Sequence, residues 1–309
     1  MHIKRRLLPA ILATPALAQE ARPIRLIIPF GPGGITDIVA RIVAEAAAQA
    51  LGVPVVAENR PGANGNIAGE AVARAAPDGQ TLLMASLAMF AVNPVIYPRM
   101  PFDPAADFAL VTGAASTPHV LVTRPGLAEA RAAMRARAEA VSFGTAGAGS
   151  SPHLTMLALQ RIADASLLAV HFRSGAASVQ AVIAGQVDMT AEATPVVSEH
   201  IRAGTLRAIC VAGAERLALL PDVPTAEQAG FAGLENGSTS GVVAPRGTPP
   251  AVLARLAQGF GAAVASPALR ARLEAQGSVP LAPGAEAFAA LIAREVTRWR
   301  PLVQGVSPG

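Results

Sequence analysis

The sequence predicts an α/β protein of two lobes, each a mostly parallel sheet flanked by helices, hinged around a central cleft. Three observations predict it. Short apolar runs alternate with Ala-rich helical segments along the whole chain, the pattern of strands covered on both faces by helices. Two of the runs lead straight into glycine-rich turns that open helices, which places two ligand-facing loops at the carboxyl edge of one sheet. The stretch after residue 244 is almost wholly helical and has too few strands to fold alone, so it is expected to return to the first sheet.

The elements follow in order. Residues 1–18 read as a secretory signal: Lys4, Arg5 and Arg6 make a basic start, 7–17 are apolar, and Ala16-Leu17-Ala18 is a small-x-small cleavage site. The apolar stretch is too short to anchor in a bilayer, so export and cleavage are expected. The strand Ile24–Ile28 runs into Pro29-Phe30-Gly31-Pro32-Gly33-Gly34, after which Ile35, Ile38, Val39, Ile42, Val43 and Ala46 recur at helical spacing, with Thr36 or Asp37 able to cap. The first amides of a helix lack intrahelical partners and carry partial positive charge, so a turn without side chains lets a carboxylate or phosphate approach them. A second turn of this kind, 59–66, follows a strand at 53–57 and opens a helix at 67–75.

Further strands are expected at 81–85, 120–123, 141–145, 167–172, 187–190, 206–212 and 240–244. Helices are expected at 127–139, 152–163, 176–184, 195–203, 250–265, 267–276 and 285–303. Chain crossings near 120–123 and 238–241 form the hinge. They divide the mature chain into a discontinuous first domain, 19–121 with 241–309, and a second, 122–240.

Composition excludes several chemistries. Removing Lys4, Arg5 and Arg6 with the signal takes the basic count from 25 to 22 against 21 acidic residues, so no nucleic-acid partner is expected. Lys4 is the only lysine, which leaves the mature chain without a Schiff-base or phosphate-loop lysine. Cys210, the only cysteine, sits in an apolar run and reads as an inert core residue. His119, His171 and His200 are scattered without metal-site spacing, and neither metal nor cofactor is expected.

Individual motifs carry competing readings. Gly31-x-Gly33-Gly34 with Glu58 is close to a dinucleotide fingerprint, but its third glycine falls on Thr36. Ser150 or Ser151 with His153 suggests a secreted serine hydrolase, the alternative reading; their place at a helix start instead favours capping. Asp188 and Glu192 lie four apart across a strand end, an arrangement open to acid/base work but usual for surface or cap residues. Arg173 suits a carboxylate partner as well as a solvated loop.

Taken together, several ordered blocks resemble the Bug-type extracytoplasmic solute receptors of tripartite tricarboxylate transporters. The blocks are Arg25 through Asp37, Glu58 through Gly65, Pro77-Asp78-Gly79-Gln80-Thr81-Leu82-Leu83, Asn93-Pro94, Gly149 through Leu154, Gly185-Gln186-Val187-Asp188 and Leu220 through Thr225. The resemblance implies a type II periplasmic-binding-protein-like fold and a monomeric, non-enzymatic receptor. Such a receptor closes on a small organic carboxylate in the periplasm and delivers it to membrane subunits of the transporter. It also implies a binding set: Phe30, Gly33, Gly34, Thr36 and Asp37 in the first loop, Asn64 and Gly65 in the second, and Ser86 at the third strand end. Thr145, Ser150, Ser151, His153, Arg173 and Glu192 face them from the other lobe.

The chain departs from the family pattern at Met89-Phe90, His171, Ser174 and Glu192, where the family commonly has a polar pair, Pro, Gly and Asp. Met89 and Phe90 at a cleft wall would favour a ligand with an apolar or aromatic remainder, and a longer acid at Glu192 would repel a second carboxylate.

Overall fold

The computed structural model describes residues 22–125 and 141–306 of the 309. The signal segment and the helix expected at 127–139 lie outside the described residues. Strand β1 (Ile24–Ile28) buries every side chain but Arg25, as expected of a strand covered on both faces. Helix α1 (Ile35–Leu51) buries Ile35, Val39, Ile42 and Val43 on one stripe and stops where Gly52 takes a left-handed conformation, φ 68°. Strand β2 (Val55–Asn59), helix α2 (Asn66–Ala73) and strand β3 (Thr81–Ser86) complete a parallel set in which β2 and β3 flank β1. Two short helices follow, α3 (Leu87–Ala91) and α4 (Asn93–Ile96).

Strand β4 (Phe108–Thr123) is far longer than the four residues its apolar end suggests. Its first part, through Pro118, pairs with β9 (Gly237–Pro245). From His119 onward it pairs instead with β7 (Met189–Ala193) and β8 (Arg207–Ala212). The polar and small residues that hide the start of β4 in the sequence are matched by side chains: Ser116 bonds Thr239 at 2.8 Å, Thr117 bonds Ser278 at 2.7 Å, and His119 bonds Thr155 and Ser238 at 2.7 and 2.8 Å. A buried polar group with a partner escapes the desolvation penalty that would otherwise exclude it from a strand.

Strands β5 (Ser142–Thr145) and β6 (Leu168–His171) run parallel beside β7, giving the order β2-β1-β3-β9-β4-β7-β5-β6. Helices α5 (Ser151–Ala163), α6 (Gly175–Ile183) and α7 (Thr194–Arg202) cover this half. The sheet is therefore mixed: parallel at both ends, but antiparallel where β4, β8 and β9 meet. Glu192, expected beyond a strand ending at 190, lies within β7, opposite Val120.

The tail packs on the first half. Helix α8 (Pro250–Ala265) crosses α1 so closely that a methyl on Gly259 would meet Leu51 at 2.2 Å, and α9 (Pro267–Glu274) sends Arg272 to Glu45 at 2.8 Å. A short strand, β10 (Val279–Pro280), pairs with β4. Helix α10 (Ala285–Trp299) buries Phe288 against Phe90, with ring centroids 6.4 Å apart. The result is the two-lobed α/β architecture, with the first β–α loops of each half facing one another.

Met89 and Phe90 are not cleft wall. Both are buried in the core, where Phe90 meets Phe108 and Phe288 edge to face, and the Met89 methyl lies under Gly65. Helix α3, absent from the periodicity reading, turns them inward, so the inference from Met89 and Phe90 to an apolar ligand end does not hold.

Candidate functional site

The lobes touch through their loops. The Gly31 amide donates to the Arg173 carbonyl at 3.2 Å, and the Tyr97 hydroxyl to the Ala148 carbonyl at 3.3 Å. A side chain on Gly31 would press on Ser174 at 3.3 Å, so glycine there allows this close approach. Between the loops lies a cavity of about 30 Å³ lined by Phe30, Gly34, Thr36, Ser86, Ser150, Ser151 and Glu192, with Ile35, Ala146, Pro152, Gly175, Ser238 and Thr239 completing the wall. That is room for roughly one or two water-sized groups, the scale of a carboxylate head.

The first loop builds the donor end. Gly33 takes φ 79°, and its amide donates to Asp37 Oδ2 at 3.0 Å. The first intrahelical bond of α1 is Ile38 to the Gly34 carbonyl, so the amides of Gly34, Ile35 and Thr36 have no partner among the described residues. Asp37 does not face the cavity. Its carboxylate accepts from Arg41 Nε at 3.0 Å, Asn59 Nδ2 at 2.8 Å and the Gly33 amide, and it holds the loop in shape. Burial alone would raise its pKa, but these bonds together with the Arg41 charge hold it below 3.8.

The second loop supplies less than the sequence suggests. The Gly65 amide donates to the Gly62 carbonyl at 2.9 Å, so it is not a free donor. A 3-10 turn, Ala63–Gly65, closes that amide off. Asn64, left-handed at φ 49°, gives its amide to Asn93 Oδ1 at 2.7 Å, while its own Oδ1 is buried without a partner. Ser86 sits at the start of α3 without capping it, and its Oγ, buried and unpartnered, faces the cavity.

In the second lobe, Ser150 caps α5 by accepting from the His153 amide at 3.4 Å, and His153 Nδ1 accepts from the Gly149 amide at 2.9 Å. Burial, with His171 nearby, lowers His153 to a pKa of about 4. Serine hydroxyl and imidazole are thus each engaged by main chain rather than by one another, and the hydrolase alternative loses the nucleophile–base bond it needs. Thr145 Oγ1 bonds His171 Nδ1 at 2.8 Å outside the cavity. Arg173 is exposed and lines, with Asn64, Tyr97 and His171, a wider outer hollow of about 570 Å³.

Glu192 is the unusual wall. Only 1% exposed, it has an Oε1 without a partner, and burial pushes its pKa to about 8 against the Ala193 amide bond. Its carboxyl occupies the space beside Gly175, where a methyl would meet Oε2 at 2.3 Å. Ser238 and Thr239 come from β9, more than forty residues beyond Glu192 in sequence, and no local pattern marks them. A third hollow, about 350 Å³, lies against α10 and shares Ser151 and Thr239 with the cavity. Of the charged residues lining it, Glu295 accepts from Trp299 Nε1 at 2.6 Å and pairs with Arg298 at 3.8 Å, and Arg298 also donates to the Glu235 main-chain carbonyl. Among the described residues no group of acidic, His or Cys side chains has the arrangement of a metal site.

A cleft between two lobes, walled by free helix-start amides and orphaned hydroxyl and carboxyl oxygens, defines a solute receptor. The chain belongs to the tripartite tricarboxylate transporter receptor family, whose model matches residues 39–307. It is 34% identical to BugT of Bordetella pertussis over 301 residues, covering 95% of this chain and 92% of that one. To a Pseudomonas sp. protein of the tcbD-tcbE intergenic region it is 36% identical over 292 residues, 93% and 87% of the two chains. MatC from Rhodopseudomonas palustris, solved with bound malate, superposes with a TM-score of 0.84 at 32% identity over 91% of this chain and 99% of that one. A second R. palustris protein, solved with adipate, gives 0.89 at 29% identity over 94% and 100%.

Proposed function

We propose that this chain is a periplasmic, monomeric receptor that closes on the carboxylate of a small organic acid and passes it to the membrane subunits of a tripartite tricarboxylate-type transporter. The observation that carries the reading is that Gly34, Ile35 and Thr36, whose amides are free, and Ser86, whose Oγ is unpartnered, line one cavity between the lobes. Fixed N–H groups at a helix start replace the water that a carboxylate gives up on entering. Relatives solved with malate and adipate support the ligand class.

Phe30, Gly34, Thr36, Ser86, Ser150, Ser151 and Glu192 contact the head group. Gly33, Asp37, Asn64, Gly65, Thr145 and His153 shape the loops behind them. The cavity and the outer hollow share Phe30 and Ala146, so the remainder of the ligand passes between these two residues toward Tyr97, Phe172 and Arg173. Those aromatic walls favour an apolar or aromatic remainder. The signal at 1–18 directs export. The lobes are 19–121 with 241–309, and 122–240.

A calorimetric panel of benzoate, phenylacetate, adipate, malate and citrate tests the reading. Binding of at least one acid with a rise in melting temperature is expected, with the aromatic acids tightest. Failure of every acid to bind refutes the carboxylate class, and binding restricted to malate and citrate refutes the apolar remainder.

A further inference from the structure

The wall opposite the α1 helix start holds a carboxyl where a receptor for anions would be expected to place a donor. Glu192 Oε1 is buried with no partner and lines the same small cavity as the free amides and Ser86. A head group in that cavity lies within reach of both walls, and two ionised carboxylates held together out of water repel strongly. The cavity wall contains no cation: Arg41 is bound to Asp37, and Arg173 is exposed in the outer hollow.

We propose that Glu192 enters the closed cleft as the neutral acid and donates its O–H to one oxygen of the bound carboxylate, so that capture takes up one proton and selects a head group lacking its own cation.

This inference rests on the carboxylate reading of the cleft and names the chemistry of its second wall. The surroundings of Glu192 agree with it. On β4, His119 next to Val120 is neutral, bound to Thr155 and Ser238, and on α5 His153 Nδ1 is taken by the Gly149 amide. His171 on β6 bonds Thr145, Asp37 on α1 is ion-paired, and Asp188 just before β7 holds Arg124. Helix α6 and strands β5 and β9 carry no titratable side chain, and on α7 Glu199 pairs with Arg202 while His200 bonds Thr205. Burial accounts for a closed-cleft pKa of about 8, above the ordinary 4.5.

The bond is balanced simply: one proton from solvent joins Glu192 as the lobes close, and its hydrogen lies between the two carboxyl groups. Binding then follows the carboxyl's pKa in the open receptor, which lies below the closed-cleft value because opening returns the carboxyl to water. Above that value affinity should fall about tenfold per pH unit.

The test uses the whole mature chain with benzoate and adipate as probes, titrated calorimetrically from about pH 5 to about pH 9 in buffers of differing ionisation enthalpy. The wild type should take up close to one proton in the upper part of that range and lose affinity with rising pH. E192Q, whose carboxamide donates without titrating, should bind with no such slope. A protonated-carboxyl infrared band in the complex at neutral pH, absent from E192Q, reads the same state without relying on the variant's affinity. Binding without proton uptake, an unchanged slope in E192Q, or absence of the band overturns the inference alone. So does tighter binding of glutamate than of glutarate, which would give Glu192 an ammonium partner. Failure of all acids to bind overturns the carboxylate reading and this inference with it.

Discussion

Replacing Asp37 with Ala separates holding the loop from touching the ligand. The side chain is 7% exposed and its carboxylate gathers Arg41, Asn59 and the Gly33 amide, none of which touches the cavity through it. In D37A the Gly33 amide loses its acceptor, Arg41, already 50% exposed, keeps Asn59 Oδ1 at 2.8 Å and otherwise turns to water, and Asn59 keeps the Phe30 carbonyl at 3.0 Å. The loss therefore concentrates on one partly buried amide and half an amide side chain, about 1–3 kcal/mol. In a chain of this size that is a fall of roughly 2–4 °C in melting temperature per kcal/mol. The freed Gly33 relaxes from φ 79°, the Gly34–Thr36 amides lose their aim, and affinity for the acid found in the panel drops at least about tenfold. R41A, which removes only the exposed partner, should cost under about 1 kcal/mol. Urea denaturation and calorimetry on D37A and R41A provide the comparison. Equal stabilities for the two, or unchanged affinity in D37A, would refute the positioning role. Because the folded pKa lies below 3.8, this contribution is complete above that pH and is lost as acid carries the solution down through the folded value.

Other outcomes follow from the same geometry. G175A pushes a methyl to within 2.3 Å of the Glu192 carboxyl and should weaken ligand binding about tenfold or more while circular dichroism stays native. His119, held near a pKa of about 3 by burial, stays neutral in the fold while the unfolded chain protonates below 6.5. The contribution of His119 to stability should be level above pH 6.5 and fall by about 1.4 kcal/mol per pH unit below it, so acid-denaturation curves of H119Q should be shallower than wild type by about that slope. F288A empties the space between Phe90 and Gly241 and should cost about 3–5 kcal/mol in denaturant titrations, with ligand affinity per folded molecule unchanged.

The sequence revealed most where local physics sets the outcome. Ile24–Ile28 and α1 were legible because an unbroken apolar strand and a one-sided apolar stripe need no knowledge of the rest of the chain. The start of β4 was not, because Thr112, Thr117 and His119 are tolerated there by partners far along the chain: the Gly284 amide, the Ser278 hydroxyl, and the Thr155 and Ser238 hydroxyls. The site divides likewise. The glycine turn before α1 and the serine start of α5 were legible as helix starts, while the binding set that includes Phe30, Gly34, Thr36, Ser150 and Ser151 came from the family resemblance. Ser238 and Thr239 reach the cavity through tertiary pairing alone. Gly65 misled because a glycine turn shows that amides can be exposed, whereas the 3-10 turn that satisfies this one depends on the left-handed Asn64 beside it. Met89 and Phe90 misled because α3 is too short to show a period.

Cys210, fully buried with its thiol pushed up to about 12, has no accessible thiolate with which to form an intermolecular disulfide in an oxidising compartment.

The shared strand has a thermodynamic consequence. Because β4 gives its first residues to one ladder and its last to another, neither half can melt without stripping backbone bonds from its neighbour. Heating should yield a single calorimetric peak whose van't Hoff and measured enthalpies agree, with the slowest-exchanging amides on β4 itself. At the changeover, Pro118 offers no amide to the ladder, and at its register partner Gly237 even a methyl would strike the Thr117 carbonyl at 2.5 Å, so hinge flexure is expected to concentrate there, which P118A, by restoring a donor, should stiffen. Opening and cooperative melting thus share one piece of backbone, and a change that softens the first should broaden the second.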